Sequence, residues 1–397
     1  MKKIILRKGR EKSLLRRHPW IFSGAVERIE GDPGSGETVK VLAADGTFLA
    51  WAGFSPVSQI TGRVWSFEEN ECIDGEFFRR RISNAVLLRE KLMLADPEGG
   101  CRLIFSESDE LPGVIVDRFG GFLVLQLLSA AAEYNREAII DALWKICRPE
   151  GIYERSDASV RRKEGLPGRS GKVLGSDLPE EIIIREEDMS FAVDISCGQK
   201  TGFYFDLRSA RREIRRFCSG AEVLNCFSYT GAFAVAALKS GAKHVLNMDS
   251  SAPALKQLCR NMELNAFSPA SWENRCGDVF TLLRELNREG RQFDVVILDP
   301  PKLIDSQRAV VSGSRAYQDL ARLGFGVLKP GGVLCNFSCS GLMTAELFQK
   351  ITASAALEAN SVARIVGHLE QAPDHPTLLP VPETFYLKGL ISVKNQE

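Results

Sequence analysis

Nucleophilic and acidic residues follow four apolar segments in the second half of the chain. The segments 222–225, 244–249, 293–299 and 332–337 have the composition of buried strands, and helical stretches separate them. Strands that alternate with helices predict an α/β fold with a parallel sheet covered on both faces. Ligands of such sheets bind at the carboxyl ends of the strands. The residues at these four ends are therefore the candidates for chemistry.

The first two strand ends carry residue types that suit a nucleoside. Asn225 opens a polar loop that ends at Gly231, where a helix is predicted to begin. A glycine permits close backbone approach, and a helix N-terminus offers free N–H groups. Asp249 ends the second strand, where a carboxylate can accept hydrogen bonds from both hydroxyls of a ribose. Asp278 stands where an acid can meet an adenine edge. Each residue alone is more typical of a cap or turn, but together they favour a nucleoside cofactor.

The third and fourth strand ends carry residues that are more specific. Asp299 is followed by two prolines and Lys302. Prolines in this position predict a rigid extended corner that holds Asp299 toward the pocket. Cys339 lies beyond the fourth strand, between two serines, where a thiolate can act as a nucleophile. Cys335, inside the strand, is expected to be an inert buried thiol.

The composition predicts an ordinary globular protein. The 397 residues include 51 Lys and Arg against 51 Asp and Glu, and this length predicts two or three domains. The sequence has no apolar run long enough to span a membrane and no export signal, so a cytoplasmic protein with ten reduced cysteines is expected. The four histidines are scattered and not grouped with cysteines, so no metal site is expected.

The first half of the chain predicts two further domains. Residues 1–20 are strongly basic, and short β-rich segments between turns then predict a small β-barrel over 1–72. Such a barrel is typical of an RNA- or partner-binding module, although a solvated charged face is the alternative. A helix at 75–95 opens an α+β middle domain over 73–185, and the third domain takes up 186–397. The segment 155–172 is predicted to be an exposed basic loop, which either contacts phosphates or is only solvated.

Several motifs together carry a resemblance to a known family. They are residues 17–24, 106–109, 111–118, 198–208, 225–231, 299–302, 337–341, 374–376, 382–383 and 386–389. The chain resembles class I S-adenosylmethionine-dependent RNA methyltransferases. Over nearly its full length it is similar to the RlmI-like family of 23S rRNA 5-methylcytosine methyltransferases.

The resemblance implies a PUA-like RNA-binding barrel at the N-terminus and a C-terminal Rossmann-like, doubly wound methyltransferase domain. It implies S-adenosyl-L-methionine as the cofactor, with segment 199–208 lying over it. The residues that it assigns to the cofactor are Phe203, Tyr204, Asp206, Asn225, Phe227, Gly231, Asp249, Asp278, Asp299 and Pro300. The implied partner is 23S rRNA or a large-subunit assembly intermediate, and a homodimer is left open.

The resemblance also assigns Cys339 and Asp299 to catalysis. Carbon 5 of cytosine is too electron-poor to take a methyl group directly, and thiolate addition at carbon 6 divides the reaction into easier steps. Asp299 would hydrogen-bond the base. Many enzymes of this kind have a second cysteine near Asp-Pro-Pro, and this chain has none there. The group that removes the carbon-5 proton is therefore open, with Lys302 or a bound water as candidates.

Three other functions compete with this interpretation. Asp-Pro-Pro also resembles guanine-N2 methyltransferases, which need no thiol, so Cys339 separates the two reactions. A Rossmann dehydrogenase shares the sheet, but the chain has no GxGxxG. A non-catalytic RNA-binding or assembly factor would be revealed by failure to bind S-adenosylmethionine.

Overall fold

The computed structural model describes residues 2–157, 159–196, 198 and 201–396. Its strands are β1 (Lys3–Leu6), β2 (Trp20–Phe22), β3 (Val26–Glu30), β4 (Thr38–Leu42), β5 (Phe48–Phe54), β6 (Ile60–Ser66), β7 (Gly100–Phe105), β8 (Val114–Phe119), β9 (Phe122–Leu127), β10 (Gly151–Ser156), β11 (Arg169–Gly175), β12 (Ile182–Glu186), β13 (Met189–Val193), β14 (Glu222–Cys226), β15 (His244–Asp249), β16 (Trp272–Cys276), β17 (Phe293–Leu298), β18 (Leu328–Ser338), β19 (Ala363–Glu370) and β20 (Lys388–Lys394). Its α-helices are α1 (Lys12–Leu15), α2 (Gly75–Lys91), α3 (Ala130–Tyr134), α4 (Arg136–Cys147), α5 (Val160–Lys163), α6 (Arg208–Ile214), α7 (Ala232–Lys239), α8 (Ala252–Leu264), α9 (Val279–Glu289), α10 (Val310–Gly326) and α11 (Ala345–Glu358).

The chain folds into two compact units. One comprises Met1–Ile184, Val193–Phe205 and Pro373–Thr384, and the other comprises Arg185–Ala192, Asp206–Ala372 and Phe385–Glu397. The division into three domains at residues 72 and 185 stays a prediction. No helix within the described part of the chain is long and apolar enough to cross a membrane.

The N-terminal strands form a six-stranded sheet in the order β2-β6-β5-β4-β1-β3. The side chains of β4 alternate between buried and half-buried positions, as expected for a strand with one face on a core. Its buried residues, Val39 and Val41, pack with Ile4, Ala52 and Val64. The β-rich pattern of the first 70 residues therefore specifies a sheet with its own hydrophobic core.

The next part of the first unit is a five-stranded sheet in the order β11-β10-β9-β8-β7. The helix predicted at 75–95 is confirmed as α2, although it ends at Lys91. Its N-terminus is capped by Asp74, whose carboxylate accepts hydrogen bonds from the backbone N–H groups of Glu76 and Phe77. Its apolar side, which includes Phe78 and Ile82, is buried in the core of this sheet.

The prediction of an exposed basic loop at 155–172 is wrong in part, because the segment is not all loop and two of its six basic side chains are buried. The segment contains the end of β10, helix α5 and the start of β11. Arg155 and Arg161 are buried, because their guanidinium groups bind backbone carbonyls, including that of Pro167, and Arg161 pairs with Glu133. The basic residues that stay exposed are Arg162, Lys163, Arg169 and Lys172.

The second unit contains a seven-stranded sheet in the order β16-β15-β14-β17-β18-β20-β19. The first five strands are parallel, and β20 inserts antiparallel between β18 and β19. The four buried strands predicted from the sequence are confirmed as β14, β15, β17 and β18. The sequence pattern predicts a helix only from residue 317 to residue 328, whereas helix α10 spans Val310–Gly326 and so begins seven residues earlier. Ser312, Gly313 and Ser314 are poor helix formers, so the sequence pattern does not predict the first turns of α10.

Candidate active site

The carboxyl ends of four neighbouring strands meet at one edge of the seven-stranded sheet. Met248, Cys226, Leu298 and Asn336 form one row across β15, β14, β17 and β18. Neighbouring strands lie about 4.8 Å apart. The residues one position beyond this row are Asp249, Phe227, Asp299 and Phe337. The register thus brings the predicted residues of three separate motifs to the same edge.

The loop after β14 has a strained backbone. Phe227, Tyr229 and Gly231 have φ angles of 57°, 47° and 83°. Left-handed conformations are uncommon for residues other than glycine and concentrate at functional sites. Two hydrogen bonds hold the loop against β15, from Ser228 N to the Met248 carbonyl at 3.0 Å and from Tyr229 N to Asp249 Oδ2 at 2.8 Å.

Gly231 is required by its surroundings as well as by its φ angle. It precedes α7, and a Cβ atom at this position would lie 2.5 Å from Cγ of Leu258 on α8. The same helix binds the loop through Asn261, whose Nδ2 donates to the Thr230 carbonyl at 2.8 Å. Helix α8 therefore packs directly against the loop that leads into the eight-residue helix α7.

Asn225 has a buried polar atom that is consistent with a bound molecule. Its side chain is 1% exposed, and its Nδ2 donates to Asn247 Oδ1 at 3.1 Å. Its Oδ1, like Oγ of Ser228, is buried and has no hydrogen-bond partner among the described residues. Because an unpaired buried acceptor is costly, both atoms fit a site that a polar ligand completes.

Asp249 and Asp278 follow adjacent strands and have different surroundings. Asp249 accepts hydrogen bonds from the backbone N–H groups of Tyr229 and Ser251, each at 2.8 Å, and its carboxylate has further lone pairs for hydroxyl groups. Asp278 is exposed and caps α9, with Oδ1 accepting from Thr281 N at 2.9 Å. Asp278 thus acts as the helix cap that the sequence offered as one interpretation. The contact of Asp278 with adenine stays a prediction.

Ser340 joins the loops that carry the two predicted catalytic residues. Its side chain is fully buried, and Oγ accepts a hydrogen bond from Ile304 N at 3.2 Å. Oη of Tyr317 and Oγ of Ser340 share a further hydrogen bond of 3.0 Å. Ile304 lies five residues after Asp299, and Ser340 follows Cys339. This link is not predictable from local sequence pattern, although the serines on both sides of Cys339 are a visible signal.

The cysteines of this unit differ in their exposure. Burial raises the pKa values of the Cys226 and Cys335 thiols well above the usual range, so both are unreactive. Cys339 lies beyond the end of β18 and is half-buried. Pro300 is buried, while Lys302 is exposed. The one cysteine that the sequence singled out as a nucleophile is therefore accessible, and its neighbour in the strand is inert.

Asp206 has a tyrosine partner that the sequence did not reveal. Its side chain is buried, and Oδ2 accepts a hydrogen bond from Tyr386 Oη at 2.5 Å. Its backbone carbonyl accepts from Ala372 N at 2.8 Å. A chain separation of 180 residues hides this pair from any local pattern.

Phe203 and Tyr204 are two further residues of the 199–208 segment that the resemblance assigns to the cofactor. Phe203 and Tyr204 belong to the first unit, and the Phe203 ring lies 5.3 Å from that of Phe205. Gln199 and Lys200 lie outside the described residues. The roles of Phe203 and Tyr204 toward the cofactor stay predictions.

Comparison with known proteins identifies the family. The model of the S-adenosylmethionine-dependent methyltransferase family matches residues 154–391. The chain belongs to this family. A PUA-like domain family matches residues 4–67. Ribosomal RNA large subunit methyltransferase I of Yersinia pseudotuberculosis (serotype O:1b, strain IP 31758) is 50% identical over 388 residues, which are 98% of each chain. The protein of the same name from Yersinia pestis matches to the same extent.

Two solved structures share the fold over nearly the whole chain. A putative methyltransferase from Streptococcus mutans superposes with a TM-score of 0.85 at 23% identity and covers 99% of this chain and 100% of its own. A putative methyltransferase complexed with SAH gives a TM-score of 0.86 over the same shares, also at 23% identity.

Family membership confirms the predicted methyltransferase, its cofactor S-adenosylmethionine and the PUA-like domain. The dehydrogenase alternative is excluded. The strained loop, the unpaired Asn225 oxygen and the Asp249 carboxylate all fit a nucleoside-containing cofactor at this edge of the sheet.

Proposed function

We propose that the protein methylates carbon 5 of a cytosine in 23S rRNA, with Cys339 as the nucleophile. The observation that carries the proposal is the half-buried Cys339, which follows β18 in a loop tied by Ser340 to the loop after Asp299. Relatives that are 50% identical to this chain carry the name ribosomal RNA large subunit methyltransferase I. A reactive thiol beside the methyl-donor site suits a carbon target, whereas transfer to a nitrogen needs none.

S-adenosylmethionine supplies an electrophilic methyl group when it is bound. In the second unit, Asn225 and Gly231 would hold it from the loop after β14, and Asp249 would bind the ribose hydroxyls. The further residues proposed to contact it are Phe203, Tyr204, Asp206, Phe227, Asp278, Asp299 and Pro300. The buried Oδ1 of Asn225 gains a partner in this arrangement, which relieves its desolvation penalty.

Cys339 makes carbon 5 of the base nucleophilic. Its thiolate forms a bond to carbon 6, and the electron pair of the 5,6 double bond moves toward carbon 5, which then accepts the methyl group. A base, for which Lys302 and a bound water are the candidates, takes the carbon-5 proton. The electron pair of that C–H bond restores the 5,6 double bond, the bond between carbon 6 and sulfur breaks, and Cys339 leaves as a thiolate. The covalent step thus replaces one difficult reaction by two easier ones.

Asp299 is proposed to orient the base. Its carboxylate can accept a hydrogen bond from the exocyclic amine of cytosine, and the buried Pro300 fixes the backbone beside it. The target base must leave its stack to reach this position, which costs a few kcal/mol. Holding the base at a fixed distance from Cys339 lowers the barrier by proximity.

The first unit is proposed to bind the RNA backbone. Its basic N-terminal segment has an exposed set of side chains, namely Arg7, Lys8, Arg10, Lys12, Arg16 and Arg17. Contacts of this type position a nucleic acid without selecting the base. We propose that the substrate is 23S rRNA, free or in an assembling large subunit, and that the protein acts in the cytoplasm. A homodimer stays a prediction from the sequence.

The proposal is tested by identifying the methylated nucleoside. The full chain is incubated with labelled S-adenosylmethionine and either protein-free 23S rRNA or large-subunit assembly particles, and the nucleosides are separated by mass spectrometry. We expect 5-methylcytidine. Labelled N2-methylguanosine would instead favour the guanine reaction that Asp-Pro-Pro also resembles, and an absence of product on both substrates would contradict rRNA methylation.

A further inference from the structure

Lys388 is a buried lysine beside the proposed nucleophile. It lies on β20, where it pairs with Ser338 of β18, and its side chain is 5% exposed. Its Nζ donates a hydrogen bond to the carbonyl of Ser340 at 3.0 Å. Buried lysines are rare unless a carboxylate pairs with them, and no carboxylate among the described residues lies within ion-pair distance of this one. Its placement therefore calls for another explanation.

The contacts of Lys388 lie on both sides of Cys339. Ser338, the residue before Cys339, is its partner in the sheet, and Ser340, the residue after it, accepts its hydrogen bond. The amine is thus held at the turn of backbone that carries the thiol. The ring of Phe385 covers the amine on another side, with its centroid 5.7 Å from Nζ.

Titratable groups approach this position from three other elements. Tyr317 of α10 hydrogen-bonds the Ser340 side chain, and burial raises the pKa of its phenol. Glu346 of α11, together with His368 and Glu370 of β19, lines the same groove as Lys388. Glu370 is opposite Lys388 in the sheet but has an exposed side chain.

The electrostatics of the pair agree with its geometry. Burial lowers the pKa of Lys388 to about 8, and the negative charge of a Cys339 thiolate opposes this lowering. An amine of this kind exchanges its proton close to neutral pH, in the range where a thiol also titrates. An ammonium group beside a thiol favours the thiolate.

We propose that Lys388 is the proton partner of Cys339. In the step that prepares the nucleophile, the S–H bond of Cys339 breaks, the proton joins the neutral Nζ of Lys388, and the ammonium group formed stabilises the thiolate. This inference rests on the proposed function, because a thiolate is needed only when Cys339 attacks the pyrimidine. Lys388 acts through Cys339 and is a positioning residue.

The test measures the thiolate of Cys339 in the full chain, without RNA or cofactor. The ultraviolet absorbance of thiolate is titrated with pH and taken as the difference from a Cys339→Ser chain. We expect this thiolate to form below the ordinary thiol pKa of about 8.5. In Lys388→Met the titration moves up by about one unit, and alkylation of Cys339 by iodoacetamide at neutral pH falls about tenfold.

Lys394→Met is the matched control. Lys394 lies on the same strand, and its Nζ also donates to backbone carbonyls, those of Phe325 and Leu328 at 3.1 and 2.9 Å. We expect Cys339 in the Lys394→Met chain to titrate as it does in the unmodified chain. An equal shift in both variants would mean a general structural effect and would overturn the role of Lys388.

Two readouts keep the proposal testable if Lys388→Met does not fold. Lys388→Gln removes the charge but retains a hydrogen-bond donor for the Ser340 carbonyl, and it is expected to show the same upward shift. In the unmodified chain, a Cys339 thiolate that forms only at or above about pH 8.5 overturns the proposal without any lysine variant.

The outcomes for Lys388 and for the proposed function are distinguishable. An unshifted thiol titration in a folded Lys388 variant, together with 5-methylcytidine from the unmodified chain, contradicts the role of Lys388 alone. A shifted titration with a different methylated nucleoside contradicts the cytosine reaction but leaves the pairing of Lys388 with Cys339 intact.

Discussion

Ser340 accepts a hydrogen bond from the backbone N–H of Ile304 at 3.2 Å, and this bond joins the loops that carry Cys339 and Asp299. The hydroxyl also shares a hydrogen bond with Tyr317 Oη from helix α10. Because Ser340 is fully buried, water cannot replace these contacts without rearrangement. One serine side chain therefore helps to set the distance between the proposed nucleophile and the residue that orients its substrate.

Replacement of Ser340 by alanine should impair the reaction more than cofactor binding. The lost hydroxyl leaves Ile304 N without its partner and loosens the two loops, and a misplacement of about 1 Å can cost about 100-fold in rate. We expect kcat of Ser340→Ala to fall by about 10- to 100-fold, with the affinity for S-adenosylhomocysteine within about twofold of the original. Calorimetry and single-turnover methylation measure the two quantities.

Ser312→Ala serves as the control for this substitution. Ser312 is exposed on α10 and donates only to the Ala309 carbonyl. Loss of the Ser312 hydroxyl should change neither kcat nor the affinity for S-adenosylhomocysteine. A Ser340→Ala chain that binds the cofactor and methylates at the original rate would show that the link between the loops is unimportant.

Gly231→Ala should destabilise the second unit and weaken cofactor binding. The new Cβ would meet Leu258 Cγ at 2.5 Å, and φ at this position is 83°. Overpacking and left-handed strain together predict a loss of about 2–5 kcal/mol in the free energy of unfolding. Chemical denaturation measures the loss.

Gly290→Ala separates the two causes. Gly290 has a φ angle of 66°, but a Cβ there meets nothing within 4 Å. The free energy of unfolding of Gly290→Ala should then fall only by the backbone strain, about 1–2 kcal/mol. Equal losses in the two variants would argue against the packing of α8 on the loop.

Asp249→Asn should weaken binding of the cofactor. One oxygen becomes an NH₂ group, which cannot accept the hydrogen bond that Tyr229 N or Ser251 N now donates to that oxygen, and the negative charge that favours hydroxyl donors is lost. Hydrogen bonds to a charged group are worth about 1.5–3 kcal/mol, so the Kd for S-adenosylhomocysteine should rise by about 10- to 100-fold.

The matched control is Asp294→Asn, at the amino end of β17, which is separated from β15 by β14 in the sheet. Asp294 accepts from Glu222 N at 2.9 Å and pairs with Lys329, so its loss should lower stability. The Kd should stay unchanged. An equal rise in Kd for both variants would mean that Asp249 acts only through stability.

Glu186 should make the stability of the second unit depend on pH. Burial alone would raise the pKa of this carboxyl, but Arg211 and Arg208 outweigh it and hold the pKa below its usual value. The carboxylate therefore stabilises the fold above the unfolded pKa of about 4.3, and the contribution is lost as the pH falls through the lower folded pKa.

Glu186→Gln leaves the buried Arg211 without its charged partner and should cost about 3–5 kcal/mol at neutral pH. Urea denaturation at a series of pH values measures this cost. The difference from the original chain should shrink as the pH falls below about 4. A difference that is constant with pH would contradict the ion pair as its source.

The sequence predicted those parts of the site that depend on local pattern. Asp249 and Gly231 stand directly after or before an apolar run, and the ends of parallel strands meet at one edge whatever the loops do. Cys339 could be separated from Cys335 because one lies beyond the strand and the other within it. For these residues, position in an element determined position in the fold.

Residues that meet across long chain separations could not be predicted in this way. Lys388 lies 48 residues from Ser340, and only the antiparallel insertion of β20 brings them together. Charge patterning misled at Arg155 and Arg161, which are buried on backbone carbonyls, because a sequence records a charge but not its burial. The hydrogen bond between Tyr386 and Asp206 could not be predicted, because 180 residues separate them in the chain.

Attack by Cys339 on the pyrimidine is tested most directly by trapping the covalent intermediate. An rRNA transcript that contains 5-fluorocytidine cannot lose a proton from carbon 5, so the bond between carbon 6 and sulfur should persist. With S-adenosylmethionine, we expect the unmodified chain to form a complex that survives denaturation and maps to Cys339, and we expect Cys339→Ala to form none while still binding the cofactor. A complex of equal yield with Cys339→Ala, or no complex from a chain that makes 5-methylcytidine on the unfluorinated transcript, would contradict Cys339 as the nucleophile.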